Sequence, residues 1–468
     1  MRPEKSLKFQ VLSLKLKPET LNLKLETEDK GMKEIKVGLI GFGTVGSGVG
    51  KILQKNSRLI EKRMGAKIVL KRIADIDLET DRGMKLKPGI LTRRVEEVIE
   101  DPEINIIMEL IGGIEPAKTF ILKAIHNKKH IVTANKALLA LHGDEIFREA
   151  HRFGVDVNFE ASVGGGIPLI RSIKEGLVAN RIQSIFGILN GTSNFILSKM
   201  TDEERSFKEV LKEAQEKGYA EADPTYDIEG IDAAHKLAIL IRLAFGTPLR
   251  FKEIFIGGIS GVTPLDIQFS REFGYRIKLL AIAKIDQGKL EARVHPTMIP
   301  EGHLLSTVGG VFNAIYIKGD AIGPILFYGQ GAGQMPTGSA VVSDLVELGR
   351  NLLIRASGRR VPLLSFQESA IEKIPLKKME EVVMPFYMRF SALDRPGVLS
   401  KISGILGKND ISISAVIQKG RHVNGAVPIV MMTHEAKEKN VHQALKEIDR
   451  LGVILGKTIF IHVENELE

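Results

Sequence analysis

Ile35-Lys-Val-Gly-Leu-Ile-Gly41-Phe42-Gly43-Thr44-Val45-Gly46-Ser-Gly-Val-Gly50 decides the fold. A short apolar strand, Ile35 to Ile40, runs into G-x-G-x-x-G and then into a helical pattern carried by Val49, Ile52 and Leu53. The glycines permit a tight turn and close backbone approach, and the helix N-terminus offers unpaired N–H groups to an anion. Glycine turns are common, so the pattern alone says little. The strand before it and the helix after it make it a dinucleotide-binding fingerprint, with Gly41, Phe42, Gly43, Thr44, Val45 and Gly46 as the candidate pyrophosphate loop.

Downstream, the strand Ile68 to Ala74 ends at Asp75. An acid there is the expected partner of the adenosine ribose hydroxyls and favours NAD, although a loop-capping aspartate is the plainer reading. Lys71 and Arg72 stand close enough to serve the 2′-phosphate of NADP instead. Further strands at 104–111 and from His130 alternate with helical patterns at 116–127 and 136–153, which predicts a Rossmann-type, doubly wound parallel sheet. The dinucleotide-binding domain is expected over 33–160, completed by 320–355. Thr133-Ala-Asn-Lys136 then sits past the carboxyl end of a parallel strand, where open α/β sheets bind ligands. Glu160-Ala-Ser-Val163-Gly-Gly165-Gly-Ile167-Pro follows another strand, and its glycine run is either a ligand-approaching loop or a domain hinge.

Residues 161–319 mix helices with strands such as Ile182 to Leu189, an α+β texture, and Asn190-Gly-Thr-Ser-Asn194 is a polar turn at an element end. Within this region lies Gly218-Tyr-Ala-Glu221-Ala-Asp-Pro-Thr-Tyr-Asp227-Ile-Glu-Gly-Ile-Asp232-Ala-Ala-His-Lys236. Pro224 excludes a regular element in its first half. From Asp232 on, Ala234, Leu237, Ala238 and Ile241 have helical spacing, so Asp232 and Lys236 share a face at i,i+4. Most such pairs are solvated surface contacts. Here the apolar run from Leu237 to Ile241 predicts a largely buried helix, and a charged pair on such a helix needs a cavity or a partner. Gly329-Gln-Gly-Ala-Gly333 opens one more helix and suggests a return to the cofactor domain. Residues 356–383, with Gly358, Arg359 and Arg360, read as a linker. From 384 to 468 the order β-α-β-β-α-β is the ferredoxin-like plan.

Composition bounds the rest. The 468 residues exceed one hydrophobic core, and 44% hydrophobic with 26% charged residues is ordinary for a globular protein. The sequence has no uninterrupted run of about 18 apolar residues, the length needed to span a bilayer. The absence of cysteine excludes disulfides, thiol catalysis and thiolate metal sites. The net charge of +9 is spread along the chain, which speaks against nucleic acid and leaves acidic ligands open. A cytoplasmic protein with no membrane partner is the simplest expectation. Residues 1–32 alternate leucines with polar residues on either side of Pro18 and read as an extra hairpin, a leader or a start placed ahead of Met32. A tail without function is the expectation.

The pattern Ala214-x3-Gly-Tyr-Ala-x2-Asp-Pro-x2-Asp-Ile-x-Gly-x-Asp-x3-Lys236 resembles the homoserine dehydrogenase signature at every defined position. The resemblance covers 33–350, and Asp394-Arg-Pro-Gly-Val-Leu399 resembles the first turn of an ACT domain; together they match the monofunctional form with a C-terminal ACT domain. It implies NAD- or NADP-dependent interconversion of L-homoserine and L-aspartate 4-semialdehyde, on the route to threonine, isoleucine and methionine. By resemblance, Glu221 and Asp227 bind the substrate, Asp232 orients it, and Lys236 is the acid/base. Lys136 is the second lysine, between substrate and cofactor, and which lysine moves the proton stays open. Thr133 and Gly333 would touch the cofactor. A sodium ion would sit on the backbone around Glu160, Val163, Gly165 and Ile167, and many relatives carry a basic residue where Asp75 stands. An amino-acid effector such as threonine at the ACT domain and a homodimer or homotetramer are further implications. The competing readings are a catalytically silent amino-acid sensor and a different dehydrogenase with an ACT tail.

Overall fold

The computed structural model describes residues 33–356, 361–420, 425–465 and 467. The expected N-terminal extension and the Gly358–Arg360 part of the expected linker lie outside them.

The glycine-rich stretch folds as its pattern demands. Strand β1 (Glu34–Ile40) enters the loop and the helix Thr44–Lys55 leaves it. A parallel six-stranded sheet surrounds β1: β2 (Lys67–Ala74), β3 (Leu91–Thr92), β4 (Ile106–Glu109), β5 (His130–Thr133) and β6 (Val157–Asn158), in the order β3-β2-β1-β4-β5-β6. The strand order reverses between β1 and β4, so a crevice opens above their carboxyl ends. The helix Gln334–Leu353 returns to this layer. It crosses the helix Thr44–Lys55 at a glycine contact, where a Cβ on Gly48 would stand 2.2 Å from the carbonyl oxygen of Gln334.

The strands of the remaining described residues build one continuous ten-stranded sheet, with a separate two-stranded one beside it. Its first half, the one expected to be catalytic, holds β7 (Ile182–Ile188), β8 (Phe255–Ile256), β9 (Tyr275–Asp286), β10 (Lys289–Pro300), β11 (Phe312–Gly319) and β12 (Gly323–Gln330). Strands β9 and β10 form a twelve-residue antiparallel hairpin. Ile277, Leu279, Ala281 and Ala283 join the main core, while Leu280 and Ile282 pack on the opposite face with Phe186, Ile188 and Tyr316. This alternation is the period-two pattern of a sheet covered on both sides. Helices Gly191–Glu203 and Ile231–Phe245 lie against it. Residues Ala233 to Ala244 of the second helix are all buried, as its apolar run predicts.

A short β13 (Val383–Met384) precedes the C-terminal unit of β14 (Phe386–Leu393), β15 (Ile413–Gln418), β16 (Ala426–Thr433), β17 (Ala436–Lys437) and β18 (Ile459–Val463), with helices Val398–Lys408 and Glu438–Ile448. Its strand order β18-β14-β16-β15 is the ferredoxin-like one. This sheet does not float: β18 pairs in parallel with β10 at Thr297–His462 and Met298–Val463. The described part of the expected linker lies along the catalytic half. Leu290 N donates to Pro375 O at 2.9 Å, and Ile374 N to Thr247 Oγ1 at 2.9 Å.

Candidate active site

Three chain segments converge on one carboxylate. Asp232 is 6% exposed in the first turn of the helix Ile231–Phe245, where an acid also complements the helix dipole. Its Oδ2 accepts from Lys236 Nζ at 2.7 Å, one turn on, and its Oδ1 faces Lys136 Nζ at 3.0 Å. Lys136 arrives from the start of the helix Lys136–Phe153, just beyond β5, as its position at a strand's carboxyl end predicts. The lysines differ in setting. Lys236 is buried and spends a second hydrogen on Leu189 O at 2.5 Å; the Lys136 side chain keeps 43% of its surface exposed.

Electrostatics separate the pair further. Burial, reinforced by the charge of Lys136 and opposed by Asp232, lowers the pKa of the Lys236 amine. The charge of Asp232 raises that of Lys136, outweighing the partial desolvation of the amine. Burial works against the Asp232 carboxylate, yet the two lysines and Asn190 hold its pKa well below the usual range. Burial raises that of Asp227, with the Asp232 charge adding to the shift and Asn190 opposing it. One lysine is poised to lose a proton while the other stays a cation.

Asn190, read from sequence only as part of a polar turn, joins the two acids. Its Nδ2 donates to Asp227 Oδ1 at 2.6 Å and to Asp232 Oδ2 at 2.9 Å, while its Oδ1 caps the helix Gly191–Glu203 by accepting from Ser193 N at 2.8 Å. Ser193 and Thr192 then bind the carbonyls of Asp227 and Tyr219 at 2.7 and 2.6 Å, which pins the 218–230 loop to that helix. Glu221 is exposed on this loop. Its charge, with that of Asp227, acts on Lys136.

Glu109 is a second residue that sequence reasoning passed over. It ends β4, is fully buried, and accepts from Thr133 Oγ1 at 2.7 Å and from Ile111 N at 3.0 Å. Thr133 Oγ1 accepts from Asn135 N at 3.0 Å, and Asn135 caps the helix that begins with Lys136 through Leu138 N at 3.1 Å. The carboxylate thus fixes the turn that aims Lys136. An acid closing an apolar central strand was the available signal, since such a group needs several partners.

The glycine loop is shaped for a dinucleotide. Gly41 has φ +95°, and a Cβ there would stand 2.8 Å from Leu110 O. A Cβ on Gly46 would stand 2.2 Å from Gly41 O, while one on Gly43 would meet only open space at the head of the helix. Thr44 is exposed, Val45 half-buried and Phe42 buried. Gly333, exposed with φ +130°, caps the returning helix beside this crevice. Asp75 accepts from Phe42 N and, at 2.8 Å, from Asp77 N. Lys71 is turned away onto Asp101 at 2.7 Å, and Arg72 donates to Gly89 O. Neither basic residue points to the ribose end of the loop.

In the expected cation loop, Glu160, Val163, Gly165 and Ile167 are all buried. Both carboxylate oxygens of Glu160 are occupied, accepting from Ile170 N at 2.8 Å and Arg171 N at 2.9 Å. Glu160 opens a 3-10 turn, and Ile167 O accepts from Leu169 N at 2.8 Å. Gly165 has φ +54° and touches the 331–332 turn, where a Cβ would lie 2.4 Å from Gly331 O.

A family model described as homoserine dehydrogenase matches residues 168–346, and one described as its NAD-binding domain matches 41–160. Homoserine dehydrogenase of Pseudomonas aeruginosa is 45% identical over 92% of this chain and 99% of its own length. The chain belongs to the homoserine dehydrogenase family. A homoserine dehydrogenase crystal structure from Thiobacillus denitrificans superposes with a TM-score of 0.88 at 49% identity, covering 94% of this chain and all of that one. A hyperthermophilic archaeal homoserine dehydrogenase mutant in complex with NADPH, 26% identical, covers 70% of this chain with a TM-score of 0.58. Residues 386–453 match an ACT domain. The protein is an NAD(P)-dependent oxidoreductase that interconverts L-homoserine and L-aspartate 4-semialdehyde, and the silent-sensor reading is not favoured. No helix among the described residues is long and apolar enough to cross a membrane.

Proposed function

We propose that the Lys236–Asp232–Lys136 cluster is where the homoserine hydroxyl and the semialdehyde carbonyl exchange a proton. The observation that carries this reading is the grip of one ionised carboxylate on two lysines of opposite pKa trend. Bound nicotinamide cofactor supplies or accepts the hydride. Lys236 has two hydrogens fixed by Asp232 and Leu189 O, so its third is left to face the substrate oxygen. As a base in homoserine oxidation it must be neutral; as an acid in the reverse direction it must be charged. Lys136 remains a cation and stabilises charge developing on that oxygen. Asp232 orients both amines, and Glu221 and Asp227 take the substrate ammonium. This assigns the proton to Lys236 rather than Lys136.

The dinucleotide lies along Gly41 to Gly46, with Thr133, Lys136 and Gly333 at its nicotinamide end. Asp75 favours NAD over NADP, because the adenosine 2′-phosphate would meet a carboxylate while Lys71 and Arg72 are engaged elsewhere. A monovalent cation would rest on the carbonyls of Val163 and Gly165, with Glu160 and Ile167, already engaged in turns, as weaker partners. Glu160 then serves through its main chain, since its carboxylate is already occupied. The ACT domain takes an amino-acid effector such as threonine, and the protein works as a cytoplasmic homodimer or homotetramer. The deciding measurement follows reduced nicotinamide absorbance with homoserine and either cofactor, with and without threonine. Turnover with NAD exceeding that with NADP is expected, and no turnover with either would overturn the reading.

A further inference from the structure

A cavity of about 340 Å³ lies away from the Asp232 cluster, between the C-terminal half of the helix Gly191–Glu203, the start of β9 and the 301–309 segment. Lys278, only 4% exposed, lines it. Its Nζ donates to Val308 O at 2.6 Å and Asn194 Oδ1 at 3.3 Å, and no carboxylate among the described residues comes within ion-pair distance of it. Burial first, and the nearby charge of Arg276 second, bring the Lys278 pKa down to about 8 against the opposing charge of Asp202. The amine is therefore still mostly protonated at neutral pH. A buried cation held only by neutral acceptors, with Asp202 acting on it from the rim, is costly and is relieved by an anion. Beside it, the buried Ser198 Oγ has no hydrogen-bond partner.

The rim carries the opposite character. Arg276 pairs with Glu301 at 3.0 Å and with Asp202 at 3.6 Å, and both acid side chains are at least half exposed. The cavity therefore has cationic depth, an acidic mouth and no net charge. A free phosphate would be repelled at the entrance, whereas a zwitterion matches both ends. We propose that this cavity binds a zwitterionic α-amino acid, its carboxylate on Lys278 and Ser198 and its ammonium toward Asp202 and Glu301.

Such a ligand would bear directly on catalysis. The same thirteen-residue helix that offers Ser198, Thr201 and Asp202 to the cavity is capped at its other end by Asn190, which holds Asp227 and Asp232. The site is thus an effector pocket within the catalytic half, separate from the substrate cluster and from the ACT domain.

Calorimetric titration of the full-length chain with glycine, L-serine, L-threonine, L-valine and L-methionine tests it, with acetate, methylammonium and inorganic phosphate as single-sign probes. At least one amino acid should show a binding event that Lys278→Met weakens by about 30-fold or more. Asp202→Asn, at an exposed rim position that folding does not depend on, should weaken the same event a few-fold and keeps the test valid if Lys278→Met does not fold. The single-sign probes should bind more weakly. Weakening in Asp202→Asn, or in a Lys278→Met that keeps its fold, supports the proposal. No amino-acid binding, binding that neither variant changes, or tighter binding of phosphate overturns it.

Discussion

The buried charge clusters around Asp232 and Arg293 differ in a respect that bears on chemistry. Around Asp232 one ionised carboxylate serves two lysines, and one of those lysines reaches solvent. At the junction with the ACT domain, Arg293 is 1% exposed and donates to Glu464 at 2.7 Å, to Glu291 at 3.3 Å and toward His295 Nε2 at 2.9 Å. Lys284 reaches Glu464 at 3.0 Å, and Lys377 binds Glu291 at 3.0 Å and also Asp286. Three cations thus meet three acids, and the core of the network is sealed from water. Burial of charge is common to both clusters and decides nothing. Access distinguishes the first, because a cation with an open side can take a substrate. A sealed, balanced network can only hold two layers together.

The sharpest test of that contrast is at Arg293. Arg293→Met leaves Glu464 and Glu291 buried without their shared cation, so folding stability should fall by about 3–5 kcal/mol. Thermal unfolding would show it, and kcat of the molecules that remain folded should be unchanged. A large drop in kcat at unaltered Tm would bring the junction into the reaction. Lys236→Met is the mirror experiment. Removing one of two cations from Asp232 leaves the carboxylate paired with Lys136, so the fold should survive while kcat falls by ~10²-fold or more. Near-normal turnover would move the proton to Lys136.

The same contrast has a pH signature. The folded-state pKa of Lys236 is lowered, so its neutral form becomes available below the ordinary lysine range. Homoserine oxidation should therefore rise with pH through the Lys236 pKa, and semialdehyde reduction should fall over the same interval. For stability the sign is opposite to that of a stabilising lysine. Between the folded pKa and the unfolded value the unfolded chain binds more protons, so this group adds stability as pH rises. The pKa of Lys136 is raised, and it stays charged across that window. A pH–rate profile that keeps its shape in Lys236→Met would sink the assignment.

Much of the Asp232 cluster was legible in the sequence because its parts are local. The i,i+4 spacing put Asp232 and Lys236 on one face, and the strand-end position of Lys136 placed it over the sheet. Its convergence on Asp232 was not legible, since it depends on how the helix Lys136–Phe153 packs against Ile231–Phe245. Asn190 and Glu109 were hidden for the same reason: each looks like an ordinary end-of-element residue until its partners arrive from elsewhere in the chain. Nothing local announced the Arg293 network either. In β10, Glu291, Arg293 and His295 point to one face of a strand, a pattern that reads as solvent-facing until β18 and the described C-terminal residues cover it. The C-terminal β-α-β-β-α-β order was readable, but its sheet joins β10 through just two residue pairs.

Glu109 tests whether a sealed group can still matter to the open site. It never faces substrate, yet through Thr133 and Asn135 it sets the turn that delivers Lys136. Glu109→Gln keeps the acceptor for Thr133 but places an amide N–H₂ against Ile111 N or Gly112 N. A displaced turn should lower kcat by about 10-fold while the homoserine KM changes less, the mark of an interaction that counts in the transition state. A purely structural role would lower Tm and leave kcat of the folded enzyme alone.

The smallest expected effect is at the other end of the crevice. Asp75 is bound by the glycine loop through Phe42 N and by Asp77 N, so its carboxylate is fixed where the adenosine ribose would lie. Asp75→Ser keeps an acceptor for those N–H groups and removes the charge. The ratio of kcat/KM for NAD to that for NADP should then fall by about 10-fold, chiefly through a lower KM for NADP, because one unfavourable charge contact at a partly exposed site is worth on the order of 1 kcal/mol. Unlike Lys136 or Lys236, this residue should leave the pH dependence of kcat untouched, since it stands outside the proton's path. An unchanged cofactor ratio would reduce Asp75 to a clamp on its own loop, which is the role its hydrogen bonds already perform.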